Sequence, residues 1–357
     1  MGRPRRRRDP IATAPTSATA VIGALPGGPL ETPLHVMSLA EFERAVGTAE
    51  GETADTLRLF FENGGREAFV AGLDEARPER SLQALAHTKF NILVIPATAR
   101  LADGEAISLA VAAALLAEDS NAFYIADPPA TRSATNVARW AGSFGGGRSS
   151  AVYFPRLRVQ GPSGERDVPA SGAVAGLFAR IDTERGVWTA PAGTRATVRG
   201  VVGPSVELDD AAVDALGQAS VNAVRRLSSR GTVVWGARTR ADTDTEWKYV
   251  NVRRLFIFIE ESLEEGLQWV VFEPNAEPLW TQVRAAVQTF LNGLLRQGAF
   301  PAATPEEAYF VRCDRTTMTR DDIDSGRLVM QIGIAPIRPA EFVVSRIGMW
   351  TRTKDDD

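Results

Sequence analysis

Apolar residues along the chain follow two periods. Short runs bounded by turn residues predict strands, and spacings of three and four predict helices. Thr16–Gly23 predicts a strand, broken by Pro26-Gly27-Gly28-Pro29. Leu34–Met37 predicts a second. Ser38 is placed to cap a helix over Leu39–Val46, with Glu41 completing a capping box. Leu57–Asn63 predicts a helix that stops at Gly64-Gly65, and Ala68–Ala71 a strand. Asn91–Pro96 reads as a buried central strand, Glu105–Glu118 as a helix, and Ala122–Ala126 as another strand ending at Asp127-Pro128-Pro129. Strand, helix, strand in that order predicts a right-handed parallel crossover.

Residues 141–150 read as a loop, and Ala151–Val159 alternates weakly into a turn at Gly161-Pro162-Ser163-Gly164. Pro169–Thr183 predicts a helix of small residues, followed by a fixed loop, Gly186–Gly193, around Trp188. Val213, Leu216, Ser220, Val224 and Leu227 lie on one helical face ending near Gly231, and Thr232–Gly236 predicts a strand. The clearest helix carries Val252, Leu255, Phe256, Ile259, Leu263, Leu267 and Val270 on one stripe, with Asn251 placed as its cap and Pro274 as its stop. Leu279, Val283, Val287, Phe290 and Leu294 mark another amphipathic helix. Leu328, Met330, Ile332 and Ile334 alternate as in a strand; Phe342–Ile347 is apolar and Gly348–Asp357 is a polar tail. The fold class is α/β to α+β, with mixed sheets flanked by helices and a domain boundary between 195 and 215.

Length and composition narrow this picture. A chain of 357 residues predicts two domains or one with a large insertion. With 44% hydrophobic and 24% charged residues it has the composition of a folded protein. No apolar run reaches the roughly 18–20 residues that span a bilayer, and no apolar h-region follows the basic N-terminal residues. The net charge of −4 is uneven: Arg3, Arg5, Arg6, Arg7 and Arg8 stand at one end and Asp355, Asp356 and Asp357 at the other. An acidic body argues against a dedicated nucleic-acid-binding domain.

Candidate chemistry is sparse. One cysteine, Cys313, excludes an internal disulfide framework and a cysteine-based zinc site, and the two histidines, His35 and His87, stand in no catalytic context. Gly145-Gly146-Gly147-Arg148-Ser149-Ser150 lacks the Lys-Ser/Thr of a phosphate-binding loop and reads as a surface loop. Asp127 is placed either as a carboxylate at the edge of a sheet or as a turn residue. Glu260, Glu261, Glu264 and Glu265 form a solvated helix face, a surface for a cation or basic partner, or an acid–base pair. The arginine-rich residues read as a solubilising tail, or as a segment that binds nucleic acid or anionic lipid. The alternative function is a nucleotide-binding protein or enzyme built on the 91–129 sheet.

Several segments, in order, resemble the tail-sheath proteins of contractile phage tails and related injection systems. Gly186-Val187-Trp188-Thr189-Ala190-Pro191-Ala192-Gly193 is similar to a family segment. So are Val234–Thr239 followed by Trp247–Arg254, Phe272-Glu273-Pro274-Asn275 with Leu279-Trp280, and Ala335–Val343. Thr16–Gly23 with Gly28-Pro29, Phe42, Phe60–Gly65, Asn91–Pro96 and Asp127-Pro128-Pro129 follow the family order in the first half. The resemblance covers residues 16–347. It departs at Met1–Pro15, which is arginine-rich where the family often carries a Pro-Gly-Val-Tyr-type strand.

The resemblance implies a structural protein without enzymatic activity or cofactor. Its subunits stack as six-fold rings around an inner tube and contract to drive that tube through an envelope. Implied partners are further copies of the chain, an inner tube protein, baseplate and terminator or cap proteins, and sheath paralogues. Neither nucleic acid nor direct membrane insertion is implied. Assembly is implied in the bacterial cytoplasm, as part of a phage tail or contractile particle. The expected organisation is a flexible arm over 1–15, a linking-strand region over 16–37, one sheath domain over 38–205, a second over 206–340, and a linking arm with acidic tail over 341–357. The expected intersubunit strands are Thr16, Ser17, Ala18, Thr19, Ala20, Val21 and Ile22 at one end, and Glu341, Phe342, Val343, Val344, Ser345, Arg346 and Ile347 at the other. Glu260, Glu261, Glu264 and Glu265 are the expected inner-tube contacts.

Overall fold

The structure, a computed structural model, describes residues 10–341 apart from 27, 29–31, 48–50, 131–132, 162–163 and 242–243. The basic residues Arg3 to Arg8, Pro29, the turn residues Pro162 and Ser163, Phe342–Ile347 and the acidic tail therefore lie outside the described residues.

The first elements in chain order are β1 (Thr19–Gly23), β2 (Leu34–Val36), α1 (Leu39–Val46), α2 (Glu52–Asn63), β3 (Ala68–Gly72), α3 (Pro78–Gln83), β4 (Ile92–Val94), α4 (Asp103–Asp119) and β5 (Phe123–Ala126). Then come α5 (Ala134–Phe144), β6 (Ser150–Phe154), β7 (Leu157–Gly161), β8 (Gly164–Val168), α6 (Ser171–Arg185), β9 (Gly203–Pro204), α7 (Asp210–Gln218), β10 (Val221–Leu227) and β11 (Gly231–Val234). The last part holds α8 (Val250–Gly266), α9 (Glu277–Arg296), α10 (Pro305–Ala308), β12 (Tyr309–Arg312), α11 (Arg320–Asp324) and β13 (Gln331–Ile334).

Among the described residues, eight strands form one sheet in the order β11-β10-β6-β5-β4-β1-β3-β2. Its interior pairs are parallel, and β2 and β11 close the two edges antiparallel. Both faces are covered, as a parallel sheet requires. Phe42, Leu57, Phe60, Val174 and Phe178 from α1, α2 and α6 pack on one face. Leu82, Leu109, Ala113, Trp140 and Leu216 from α3, α4, α5 and α7 pack on the other. Against α2, α6 presents glycines: a Cβ on Gly172 would lie 2.3 Å from the Thr56 carbonyl oxygen, and one on Gly176 would lie 2.2 Å from that of Phe60. That clearance is why the predicted helix of small residues is made of small residues.

A second module follows. Leu255, Phe258 and Leu263 of α8, Trp280, Val283 and Leu291 of α9, and Cys313 share a separate core, edged by the two-stranded sheet β12–β13.

The structure corrects four expectations. The domain boundary near 206 cuts through the large sheet, because β10 pairs with β6 and carries β11. The sheet body runs to Val234, and α8 joins both modules: Val250 belongs to the core of the sheet body and Leu255 to the second. The helix expected through Val213–Leu227 ends at Gln218; Val224 and Leu227 lie in β10, where pairing with β6 and β11 overrides their spacing. The loop expected over 141–150 shrinks, since α5 runs to Phe144 and three glycines with φ of 68–75° turn the chain into β6. Asn251 does not cap α8. Tyr249 holds that position, and Asn251 donates its side-chain N–H groups to the carbonyls of Trp188 and Ile337, both at 2.9 Å.

Candidate assembly interface

The N-terminal strap, residues 10–18, reaches the middle of the large sheet by crossing α8. Ile11 lies on Gly266, where an added Cβ would fall 2.6 Å from the isoleucine Cγ2. Ala14 N–H donates to Ser262 Oγ at 2.9 Å. The Thr16 hydroxyl donates to Asp182 Oδ2 at 2.7 Å, while Arg254 Nη2 donates to the Thr16 carbonyl at 2.9 Å. Ala18 N–H donates to Asn91 Oδ1 at 3.1 Å, and Asn91 Nδ2 donates to Glu261 Oε2 at 3.1 Å. The strap thus binds α8 of one module to α6 and β4 of the other.

The linking role expected for Thr16–Ile22 falls on a segment whose strand part is already paired within the chain. Thr19–Gly23 is completely buried and bonded on both edges, to β3 and β4. A strand with no spare edge cannot add to a neighbour's sheet. Thr16, Ser17 and Ala18 belong to the strap.

At the other end the chain leaves the body through a charged anchor. Ala335 N–H donates to the Ala308 carbonyl at 2.8 Å, Ile337 is held by Asn251, and Glu341 meets Arg238 and Lys248. Arg238 donates Nε to Oε1 at 2.6 Å and Nη2 to Oε2 at 2.8 Å, and Lys248 Nζ donates to Oε2 at 2.9 Å. Burial alone pushes the Glu341 carboxyl up; the hydrogen bonds from Arg238 and Lys248 outweigh it and hold the group down to about 2. Of the expected linking residues 341–347, Glu341 is described and Phe342–Ile347 are not.

The sheet β12–β13 has an unpaired outer edge on each strand among the described residues. Phe310 is half exposed and its ring closes over Gly333. A two-stranded ribbon is marginal on its own and gains from added strands.

The four glutamates of α8 do not form one outward row. Glu260 pairs with Arg253 at 3.5 Å, Glu261 accepts from Asn91, and Glu265 pairs with Lys89 at 2.9 Å. Of the four, only Glu264 is without an ion pair or hydrogen bond among the described residues. Burial pushes the Glu261 carboxyl up to about 7, Lys89 works against that, and Glu265 and Glu264 add to it. So Glu261 and Glu265 serve the junction between modules, while Glu260, Glu264 and Glu265 remain exposed.

The adjacent arginines of α8 escaped sequence reasoning. Arg253 is buried, donates to Ser149 Oγ at 2.9 Å and lies against Trp247, 5.6 Å from the ring centroid. Arg254 forms a bidentate pair with Asp182 at 2.9 and 2.6 Å and sits 4.6 Å over the Phe178 ring. Two charges flanked by Val252 and Leu255 inside a helix stripe were the available signal.

The loop after α8 is unusual. Phe272 is fully exposed at 103% and holds a φ of 68°, a left-handed conformation rare for an aromatic residue.

The chemistry expected to be marginal is built into structure. Both oxygen-facing N–H groups at the start of α6, from Ala170 and Ser171, donate to Asp127 Oδ1 at 3.0 and 3.1 Å. Burial pushes this carboxyl up to about 6. Cys313 is buried and burial pushes its thiol up, the opposite of an activated nucleophile. His35 stacks on Phe69 and bonds Glu67. No group of three or more metal-ligating side chains occurs among the described residues.

Residues 72–240 match the family model described as phage tail sheath protein central domain, and residues 242–349 match that of the phage tail sheath C-terminal domain. A putative prophage major tail sheath protein of Pseudomonas aeruginosa (strain UCBPP-PA14) is 27% identical over 305 residues, covering 83% of this chain and 74% of that protein. The tail sheath protein of Enterobacteria phage T4 is 28% identical over 179 residues, 50% of this chain. The match spans 26% of the length of that protein and of the Vibrio phage KVP40 tail sheath protein, about a quarter of each. The helical sheath of the anti-feeding prophage in its contracted state superposes with a TM-score of 0.81 at 29% identity, covering 98% of this chain and 97% of that one. The sheath of an extracellular contractile injection system (PVC), also contracted, gives a TM-score of 0.80 at 27% identity over 98% and 97% of the two chains.

Proposed function

As the chain belongs to the phage tail sheath protein family, we propose that it is the structural subunit of a contractile sheath in a phage tail or a phage-tail-like injection particle. Copies stack as six-fold rings around an inner tube and contract to drive it through an envelope. The role is mechanical and non-enzymatic. Further copies, an inner tube protein, baseplate and terminator proteins are its partners, and assembly takes place in the bacterial cytoplasm. The similarity to two sheaths in their contracted state supports this reading.

The observation that carries it is the ribbon β12–β13, open-edged among the described residues, together with the Glu341 anchor from which the terminal segment starts. The anchor at Glu341 fixes the root of the segment that continues into residues 342–347. Their apolar, strand-like sequence fits the unpaired edge of Tyr309–Arg312 or Gln331–Ile334 in another copy. Each added ladder hydrogen bond contributes on the order of 0.5–1.5 kcal/mol. A few residues per joint hold subunits together while rigid bodies rotate. The deeply buried β1 carries no such role, so the C-terminal arm is the principal link.

Negative-stain electron microscopy of the full chain, alone and with its tube protein, tests the reading. Hollow tubes or stacked rings are expected from the full chain and not after deletion of residues 342–357. Small closed oligomers under both conditions overturn the sheath role; tubes from the truncated chain overturn the arm's.

A further inference from the structure

We propose that the basic segment 1–9 docks on the tip that follows α8, as a clasp within the same chain that covers Val271 and Phe272 next to an acidic cluster.

The tip presents two apolar side chains. Val271 is 63% exposed and Phe272 103%. The left-handed backbone at Phe272 is fixed from both sides. Val271 N–H donates to the Gln268 carbonyl at 3.2 Å, and Glu273 N–H to that of Val270 at 3.1 Å. Beyond the tip, Asn275 accepts from Trp280 Nε1 at 2.8 Å and donates to the Arg327 carbonyl at 3.0 Å. An aromatic ring held out in a strained conformation by its surroundings is a preformed contact.

Its surroundings select a cation. Glu264 and Glu265 stand in the last turn of α8 and Glu273 follows Phe272, all exposed, against one lysine, Lys89, that pairs with Glu265. The carbonyl end of the helix adds negative potential.

The position of the strap supplies the occupant. Ile11 lies against Gly266, at the foot of the tip, so the described strap starts beside it. Nine residues reach up to about 30 Å, more than the six residues from Gly266 to Phe272 require. They carry Arg3, Arg5, Arg6, Arg7 and Arg8 against a single acid, Asp9. Arginine pairs with carboxylates in bidentate geometry and stacks on aromatic faces, so it meets both halves of this surface. A tether this short gives the chain's own segment an effective concentration in the millimolar range, ahead of any second copy in dilute solution. Docked, the segment fastens the strap over α8 beyond its contacts at Ser262 and Asp182. The arginine-rich departure from the family's usual N-terminal strand thereby gains a structural role.

The test places the photo-crosslinking residue p-benzoyl-phenylalanine at Phe272 in the full, unassembled chain. Irradiation of a mixture of isotopically light and heavy chains is followed by peptide mapping. The expected result is adducts to residues 1–9 at monomer mass, with light–light and heavy–heavy pairs. Their yield should fall about tenfold in R5E/R6E/R7E/R8E, and several-fold in about 1 M salt, where the Debye length is about 3 Å. Mixed light–heavy adducts would assign the tip to a second copy and overturn the clasp. Adducts only to other segments, none at all, or a yield insensitive to charge reversal also overturn it. The backbone of residues 10–341 is untouched by the arginine variant, and identical thermal unfolding of the two proteins checks this. The readout uses unassembled chains, so it stands apart from whether the protein forms sheaths.

Discussion

Arg254 of α8 grips Asp182 of α6 in a two-pronged ion pair, 2.9 and 2.6 Å, with side-chain exposures of 4% and 7%. The same guanidinium donates to the Thr16 carbonyl, and the same carboxylate accepts from the Thr16 hydroxyl. Three segments far apart in sequence therefore meet at one charge pair: the strap, the helix before the Trp188 loop, and the helix that joins the two modules. A buried pair of this kind is a weak source of net stability but a strong constraint, because either partner left alone is an uncompensated buried charge.

Replacing Arg254 with methionine strands Asp182. The expected cost is about 3–5 kcal/mol, read from denaturant unfolding. Adding Asp182→Leu should recover much of it. A double variant as unstable as the single one would show that the pair is not what the helix junction depends on.

The Glu341 anchor gives a pH signature. Its carboxyl is held down to about 2, below its unfolded value, so its contribution is fully present above the ordinary carboxylate range and is lost as pH falls towards 2. Glu341→Gln should lower the stability of the isolated subunit at neutral pH, with the loss shrinking as pH falls towards 2, and should reduce tube formation. Tubes of unchanged length would remove the anchor from the assembly pathway.

Glu261 runs the opposite way. Its carboxyl is pushed up to about 7 mainly by burial, so the folded state holds a proton that the unfolded chain releases. Stability from this group is full below the ordinary carboxylate range and is lost as pH rises through 7. Glu261→Gln keeps the protonated shape, with the amide carbonyl oxygen still able to accept from Asn91. It should raise the melting temperature at pH 8 by ~1–2 °C and leave it unchanged near pH 4. An equal shift at both pH values would exclude the carboxyl as the cause.

The α2–α6 contact tolerates no added atom. Gly176→Ala would set a Cβ 2.2 Å from the Phe60 carbonyl oxygen. Overpacking here should cost about 1–3 kcal/mol. Gly217→Ala, in the open on α7, serves as the control, because nothing lies within 4 Å of the added Cβ and alanine favours a helix. Equal stability of Gly176→Ala and the parent would mean that the helices separate more easily than their packing indicates.

Much of the candidate interface was legible because local pattern and local geometry agree there. The stripe from Val252 to Leu263 predicts α8, the runs at Asn91–Pro96 and Ala122–Ala126 predict β4 and β5, and alternation at Ile332 and Ile334 predicts β13. Ser38 caps α1 as its spacing implies, although Glu41 reaches back to the N–H of Met37 rather than Ser38. The failures share one cause. Val224 and Leu227 fit a helical face as well as a strand, and only the adjoining β6 and β11 decide between them. Thr19–Gly23 has the sequence of a strand whether it lies at a subunit joint or in the centre of a sheet.

By itself, then, the sequence determined which residues bury and with what period, which helices and strands they build, and, through ordered segments such as Gly186–Gly193, the family. Tertiary structure alone decided where β1 lies, that the large sheet continues to Val234, and that Arg254 finds Asp182 across 72 positions of chain. The physical reason is that periodicity specifies the face an element hides and not the partner it hides against. That choice depends on edges, volumes and charges brought together only when the whole chain closes.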